Sequence, residues 1–220
     1  MSWELSETEV RIVGSLLEKE VTTPEYYPLS LNALALACNQ KTNRDPVLSL
    51  ADDLVLQALE LLRERGLVCF VREAGSRVEK YRQRITEVLN LDCRELAVLC
   101  VLMLRGAQTV GELRERTHRL YAFDDLQSVE LCLKRMMERN PVHLVARIDR
   151  ATGIREPRYV QLLAGTPPVP GDSRRLETVV TNSDGSLQDR LGVLEAEVML
   201  LKREISALRD DLSRFRSQFE

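Results

Sequence analysis

Nine basic residues fall in two short stretches of matching pattern, and the chemistry they suit is ionic contact with phosphate. Arg72, Arg77, Lys80, Arg82 and Arg84 surround Gly75-Ser76-Arg77-Val78-Glu79-Lys80-Tyr81. Arg147, Arg150, Arg155 and Arg158 surround Gly153-Ile154-Arg155-Glu156-Pro157-Arg158-Tyr159, and both heptapeptides read G-x-R-x-x-[K/R]-Y. In each stretch the cations outnumber the local carboxylates (Glu73, Glu79; Asp149, Glu156), which suits contact with the backbone of double-stranded DNA. Tyr81 and Tyr159 stand beside these charges, able to stack on a base or to buttress a hairpin. The plainer reading, the solvated face of a two-stranded hairpin, stays open beside the phosphate reading. A separate string, Asn39-Gln40-Lys41-Thr42-Asn43-Arg44-Asp45-Pro46, offers Lys41 and Arg44 to an anion or a nucleic-acid backbone. Its Asn, Asp and Pro residues equally make it a structural turn.

Catalysis has little to work with. His118 and His143 are 25 residues apart, and neither sits at metal-ligand spacing from a cysteine. Cys93 and Cys100, two helical turns apart, read as thiols of an apolar helix, and neither glycine-rich phosphate-loop pattern occurs. The chain is therefore expected to be non-enzymatic, with no catalytic residue, no metal and no cofactor. Five cysteines without a C-x-x-C pair read as reduced core thiols of a cytosolic protein. The 220 residues carry 31 Lys+Arg against 34 Asp+Glu, a net charge of −3, and no segment is a basic arm. Strong non-specific affinity for nucleic acid is thus not written into the composition. The longest apolar run, residues 96–104, is about half of a membrane span, and the opening Met1-Ser2-Trp3-Glu4-Leu5-Ser6-Glu7 has no apolar signal region. A cytoplasmic protein with no membrane partner is the expectation.

The elements that would position the basic stretches are legible as a repeat. Ser6 and Glu9 form a capping box, followed by Val10, Val13, Leu16 and Leu17 at helical spacing. Asp92 and Glu95, then Leu96, Leu99, Leu102 and Met103, repeat it at an offset of 86. Second helices are predicted over 29–38 and from the Thr109/Glu112 capping box to about 118. Third helices are predicted over 51–65, stopped by Gly66, and 126–139, stopped by Asn140-Pro141. Each runs into a strand, 67–71 and 142–146, and then into its charged turn and a second strand. The order helix, helix, helix, hairpin is that of a winged helix-turn-helix. The fold expected is mainly α with small β-hairpin wings: winged-helix domains at 1–88 and 89–165 in tandem. The third helices are poor groove readers, because Asp52, Asp53, Asp124 and Asp125 crowd their N-termini and only Gln57 and Gln127 suit base edges.

Beyond a Pro/Gly-rich break, residues 166–185 read as a flexible linker and 186–220 as a coiled-coil helix. Leu187, Leu191, Leu194, Val198, Leu201, Ile205, Leu208, Leu212, Phe215 and Phe219 alternate steps of four and three without a break. β-Branched residues at central a positions, leucine at d and opposite flanking charges favour a parallel homodimer through these ten residues.

Several strings resemble the YceH-like family of uncharacterised bacterial proteins. They are the opening Leu-Ser-x-x-Glu-x-Arg-Ile-x-Gly-x-Leu-x-Glu-Lys at 5–19, Thr22-Thr23-Pro24-Glu25-Tyr26-Tyr27-Pro28-Leu29-Ser30, the Asn39 to Pro46 string, and Arg105-Gly106-x-Gln108-Thr109-x-Gly111-Glu112-Leu113-Arg114. The resemblance implies a tandem winged-helix fold in a bacterial cytoplasm and implies no activity. Two functions follow from the residues: a nucleic-acid-associated, regulatory protein holding DNA backbone through its wings, or an adaptor that binds other proteins on winged-helix surfaces.

Overall fold

The Glu9 amide donates to the Ser6 hydroxyl at 3.2 Å and the Ser6 amide donates to the Glu9 carboxylate at 2.7 Å, so α1 (Glu7–Thr22) begins at its capping box. Asp92 and Glu95 open α5 (Cys93–Arg105) in the same way, and Thr109 and Glu112 open α6 (Val110–Arg116). The computed structural model describes residues 4–72, 78–148 and 156–165. The expected linker and coiled-coil seam, from Leu187 to Phe219, lie outside the described residues, as do Arg77, Arg150 and Arg155.

The described residues are mainly helical with two small antiparallel sheets. After α1 come a 3₁₀ turn (Pro24–Tyr26), β1 (Leu29–Ser30), α2 (Leu31–Cys38), α3 (Asp52–Glu64), β2 (Val68–Val71) and β3 (Lys80–Gln83). A short helix, α4 (Ile85–Val88), leads to α5, α6, α7 (Leu126–Glu138), β4 (Val145–Ile148) and β5 (Arg158–Gln161). The first sheet runs β1-β3-β2, with Tyr81 opposite both Leu29 and Phe70. The second pairs β4 with β5, Arg147 opposite Tyr159. Gln108 exchanges both main-chain hydrogen bonds with Tyr159, at 3.0 and 2.8 Å. It therefore stands where Leu29 stands in the first half, and each precedes the capping residue of a second helix, Ser30 or Thr109.

Two boundaries differ from expectation. The second helix of the first half starts at Leu31, because Leu29 and Ser30 pair with β3. The first strand of the second half starts at Val145, not Val142. Gly66, at φ +72°, lets α3 turn into β2 within three residues, whereas six separate α7 from β4. The helices are thus offset by 74 and the hairpins by 77 or 78, with Leu67 and Leu144, both fully buried, in equivalent places.

Helix α1 is buried on almost every side from Glu9 to Glu18, as expected of a helix enclosed by neighbours. It packs on α2 and α3 and, across the molecule, on α5. At the 86-residue offset Gly14 corresponds to Cys100. The Cys100 thiol lies 3.5 Å from the Gly14 carbonyl oxygen, and a Cβ on Gly14 would stand 3.0 Å from Leu104 Cδ2 and 3.1 Å from Met103 Cβ. Equivalent residues meeting one another is the pattern of a two-fold interface, here made within one chain. The Leu5 amide, donating to the Leu163 carbonyl at 2.7 Å, ties the start of the first half to the end of the second. None of the described helices is long and apolar enough to cross a membrane.

Candidate interaction surfaces

The 39–46 loop shows how far side-chain type alone misleads. Lys41 is exposed. Arg44, expected to contact an anion, has a side chain with no solvent exposure. Its guanidinium donates to both Glu18 carboxylate oxygens (2.6 and 3.2 Å), to the Ala37 carbonyl (2.8 and 3.2 Å) and to Gln40. An arginine so engaged has no donor left for phosphate, and the correction is plain: Arg44 is structural. The rest of the loop works likewise. The Asn39 amide exchanges two hydrogen bonds with the Leu50 main chain, the Asp45 amide donates to the Leu104 carbonyl at 2.9 Å, and Asn43 accepts from Arg105. Arg11, also buried, donates to the Cys38 and Pro46 carbonyls at 3.1 and 2.6 Å. Burial, then the neighbouring Arg44 charge, holds the Arg11 pKa below its usual value. The loop clamps α1 to the end of α5. Glu18 and Arg11 were missed by sequence reasoning; the only signal is a charged residue inside an apolar helical stripe.

Most of the described hairpin arginines have partners within the chain. Arg72 pairs with Glu79 at 2.8 Å, while Arg82 and Arg84 both pair with Glu87, Arg84 at 3.4 Å. Arg158 donates to the Ala107 carbonyl at 2.7 Å and to Glu112 at 3.0 Å. Lys80 is half-buried on β3 and Arg147 is exposed on β4. Tyr81 and Tyr159 are buried, and Tyr81 meets Phe70 edge to face with ring centres 4.9 Å apart, so both tyrosines buttress their hairpins. Burial raises the pKa of three thiols, Cys38, Cys100 and Cys132, the last to about 12, whereas Cys93, expected inside its apolar helix with Cys100, is exposed at the first turn of α5. Among the described residues no group of His, Cys, Asp and Glu is placed to hold a metal ion.

The third helices differ from a groove reader in another way. Val55, Ala58, Leu59 and Leu62 fill the inner side of α3, which leaves Asp53, Gln57, Glu60 and Glu64 along the outer line at helical spacing. Leu54 and Leu61 flank that line at 51% and 48% exposure. On α7 the inner side is Val129, Cys132, Leu133 and Met136, and the corresponding outer line reads Gln127, Leu131, Lys134 and Glu138. Three carboxylates on one outer line repel phosphate, and two half-exposed leucines stand beside them.

A mainly helical chain built from one helix-and-hairpin pattern used twice, with its polar strings locked into the join, is what these observations define. The chain belongs to the family described as "Protein of unknown function, DUF480", whose model matches residues 5–154. It is 49% identical to the UPF0502 protein of Geotalea daltonii over 226 aligned positions, covering all of both chains. It is 47% identical to the UPF0502 protein of Solibacter usitatus over 209 residues, 95% of this chain and 98% of the relative. To the UPF0502 protein YceH of Salmonella arizonae it is 44% identical over 213 residues, 94% of this chain and 97% of the relative. The likeness to YceH-like proteins read from the opening motif and the 39–46 string therefore holds.

Proposed function

We propose that the chain is a non-enzymatic, tandem winged-helix adaptor, and that its first winged helix docks a basic, amphipathic protein segment on α3. The outer line of α3 carries the reading: Leu54 and Leu61 supply apolar contact, while Asp53, Glu60 and Glu64 complement lysine or arginine on the partner. The 186–220 heptads hold two copies together, so that each dimer presents paired docking faces; light scattering at micromolar concentration should then give twice 25.1 kDa. Nucleic-acid binding is the second reading, favoured by the exposed cations Lys41 and Arg147. One titration separates the two, with a labelled helical Leu/Lys peptide and a labelled DNA duplex offered to the full chain at the same salt. The adaptor binds the peptide, and changing Leu54 and Leu61 to Ala together weakens it about tenfold or more. Duplex binding whose log affinity falls by about 0.9 per phosphate contacted for each unit of log salt, and which is lost on changing Lys41 and Arg147 to Ala, replaces the adaptor with the DNA reading.

A further inference from the structure

A small cleft lies where the C-terminal turns of α1 and α5 approach the end of α6, beside the 39–46 loop. Arg105, Arg116 and Arg119 line it from the second half, and Glu18, Thr22 and Asn43 from the first. Its charges do not cancel. Glu18 is taken up by Arg44 through two hydrogen bonds, and Glu112 by Arg158 at 3.0 Å, with Arg116 more loosely placed at 3.6 Å. Among the described residues neither Arg105 nor Arg119 has a carboxylate within ion-pair distance. Arg105 is held in place by Asn43, and its pKa lies below the usual value, first through burial and then through the like charge of Arg116, with Glu18 opposing and Arg44 adding to the lowering. Crowded arginines on a concave surface, Arg105 held by Asn43 and Arg116 by Gln108, are the arrangement that an oxyanion neutralises.

We propose that this cleft binds a small oxyanion, a phosphate dianion held by Arg105, Arg116 and Arg119. The free space is about 40 Å³, room for roughly three waters and so for one tetrahedral ion. Arg119, exposed at the rim, leaves a path for the organic part of a phosphate monoester to project outward. The ion touches the loop of the first half and the arginines of the second, so its binding tightens the join between them and raises the melting temperature by mass action.

Calorimetric titration of the full chain with inorganic phosphate and, in a separate arm, with glycerol phosphate tests the site at fixed ionic strength set with chloride. Both should bind if only the phosphate group is read; glycerol phosphate alone binding tighter would assign the site to a monoester. Arg119→Gln, which removes no hydrogen bond or ion pair among the described residues, should weaken binding about fivefold or more, as should Arg105→Gln. Arg114→Gln, on α6 with Arg116 but outside the cleft, should bind as the parent does. Equal heats with phosphate and chloride, or parental affinity in Arg119→Gln, would overturn the site.

Discussion

The two halves share an interior and differ in what they show to solvent. In each, the capping-box glutamate of the first helix is buried and meets the arginine that follows the third: Glu9 with Arg65 at 3.5 Å, Glu95 with Arg139 at 3.0 Å. In each, a buried tyrosine on the second hairpin strand pairs with the residue before a second-helix cap. The outer lines of the third helices have diverged, three carboxylates on α3 against Gln127, Leu131, Lys134 and Glu138 on α7. The clamp loop and its Arg44–Glu18 pair belong to the first half only, since the residue equivalent to Glu18 is the apolar Leu104. Buried polar groups cannot change one at a time without leaving a partner unsatisfied, whereas an outer line is free to follow its partner. What repeats is therefore structure, and what differs is where function is to be sought.

The comparison is tested hardest at its most asymmetric point. Arg44→Met leaves the Glu18 carboxylate buried without its partner and should cost about 3–5 kcal/mol in urea denaturation. A cost below about 1 kcal/mol would mean that the loop does not clamp the halves together. Next comes the join itself. Gly14→Leu drives a side chain into Met103 and Leu104 and should cost about 2–3 kcal/mol, while Cys100→Ala, at the equivalent position, removes one atom and should cost less.

The repeated pair should then prove unequal. Arg139→Met removes a 3.0 Å contact to Glu95 and the bonds to the Leu89 and Asn90 carbonyls, for about 2 kcal/mol; Arg65→Met, with its looser contact and more exposed side chain, should cost about 1 kcal/mol or less. Equal losses would show that the two glutamates sit in equivalent settings after all.

The smallest effect is one of pH. Burial opposes ionisation of Asp92, but hydrogen bonds from the Glu95 and Arg94 amides and the Arg135 charge outweigh it and hold the pKa below the usual carboxylate value. Glu112 is lowered too: burial opposes its ionisation, and the Thr109 amide, Arg158 and Arg116 outweigh it. A lowered folded pKa means stabilisation that is complete above the unfolded value near 4 and is lost as pH falls through the folded one. Ser6, the equivalent cap in the first half, does not titrate. As pH falls below about 4, amide protection should therefore be lost at the start of α5, whose cap is Asp92, before the start of α1. Asp92→Asn keeps a good cap and should change neutral stability by only about 0.5–1 kcal/mol while reducing the acid loss in α5. Acid exchange that starts in α1 would contradict this.

Much of the architecture was open to reading from residues alone, because it rests on local rules. Capping boxes at Ser6, Asp92 and Thr109, apolar stripes at helical spacing and the matched G-x-R-x-x-[K/R]-Y heptapeptides are set by neighbours a few positions away. The twofold order of elements followed from them. What only the tertiary structure decided was the fate of the polar side chains. Nothing near Arg44 in sequence reveals that Glu18, 26 residues earlier, waits for it, nor that the Asn43 and Asp45 positions would bond to the end of α5. Tyr81 and Tyr159 looked the same from sequence whether they faced a base or a core, and the cleft of Arg105, Arg116 and Arg119 exists only once α1 and α5 have packed. Helix and hairpin formation obeys short-range periodicity, whereas the partner of a charge is chosen by whichever surface the packing brings within about 3 Å.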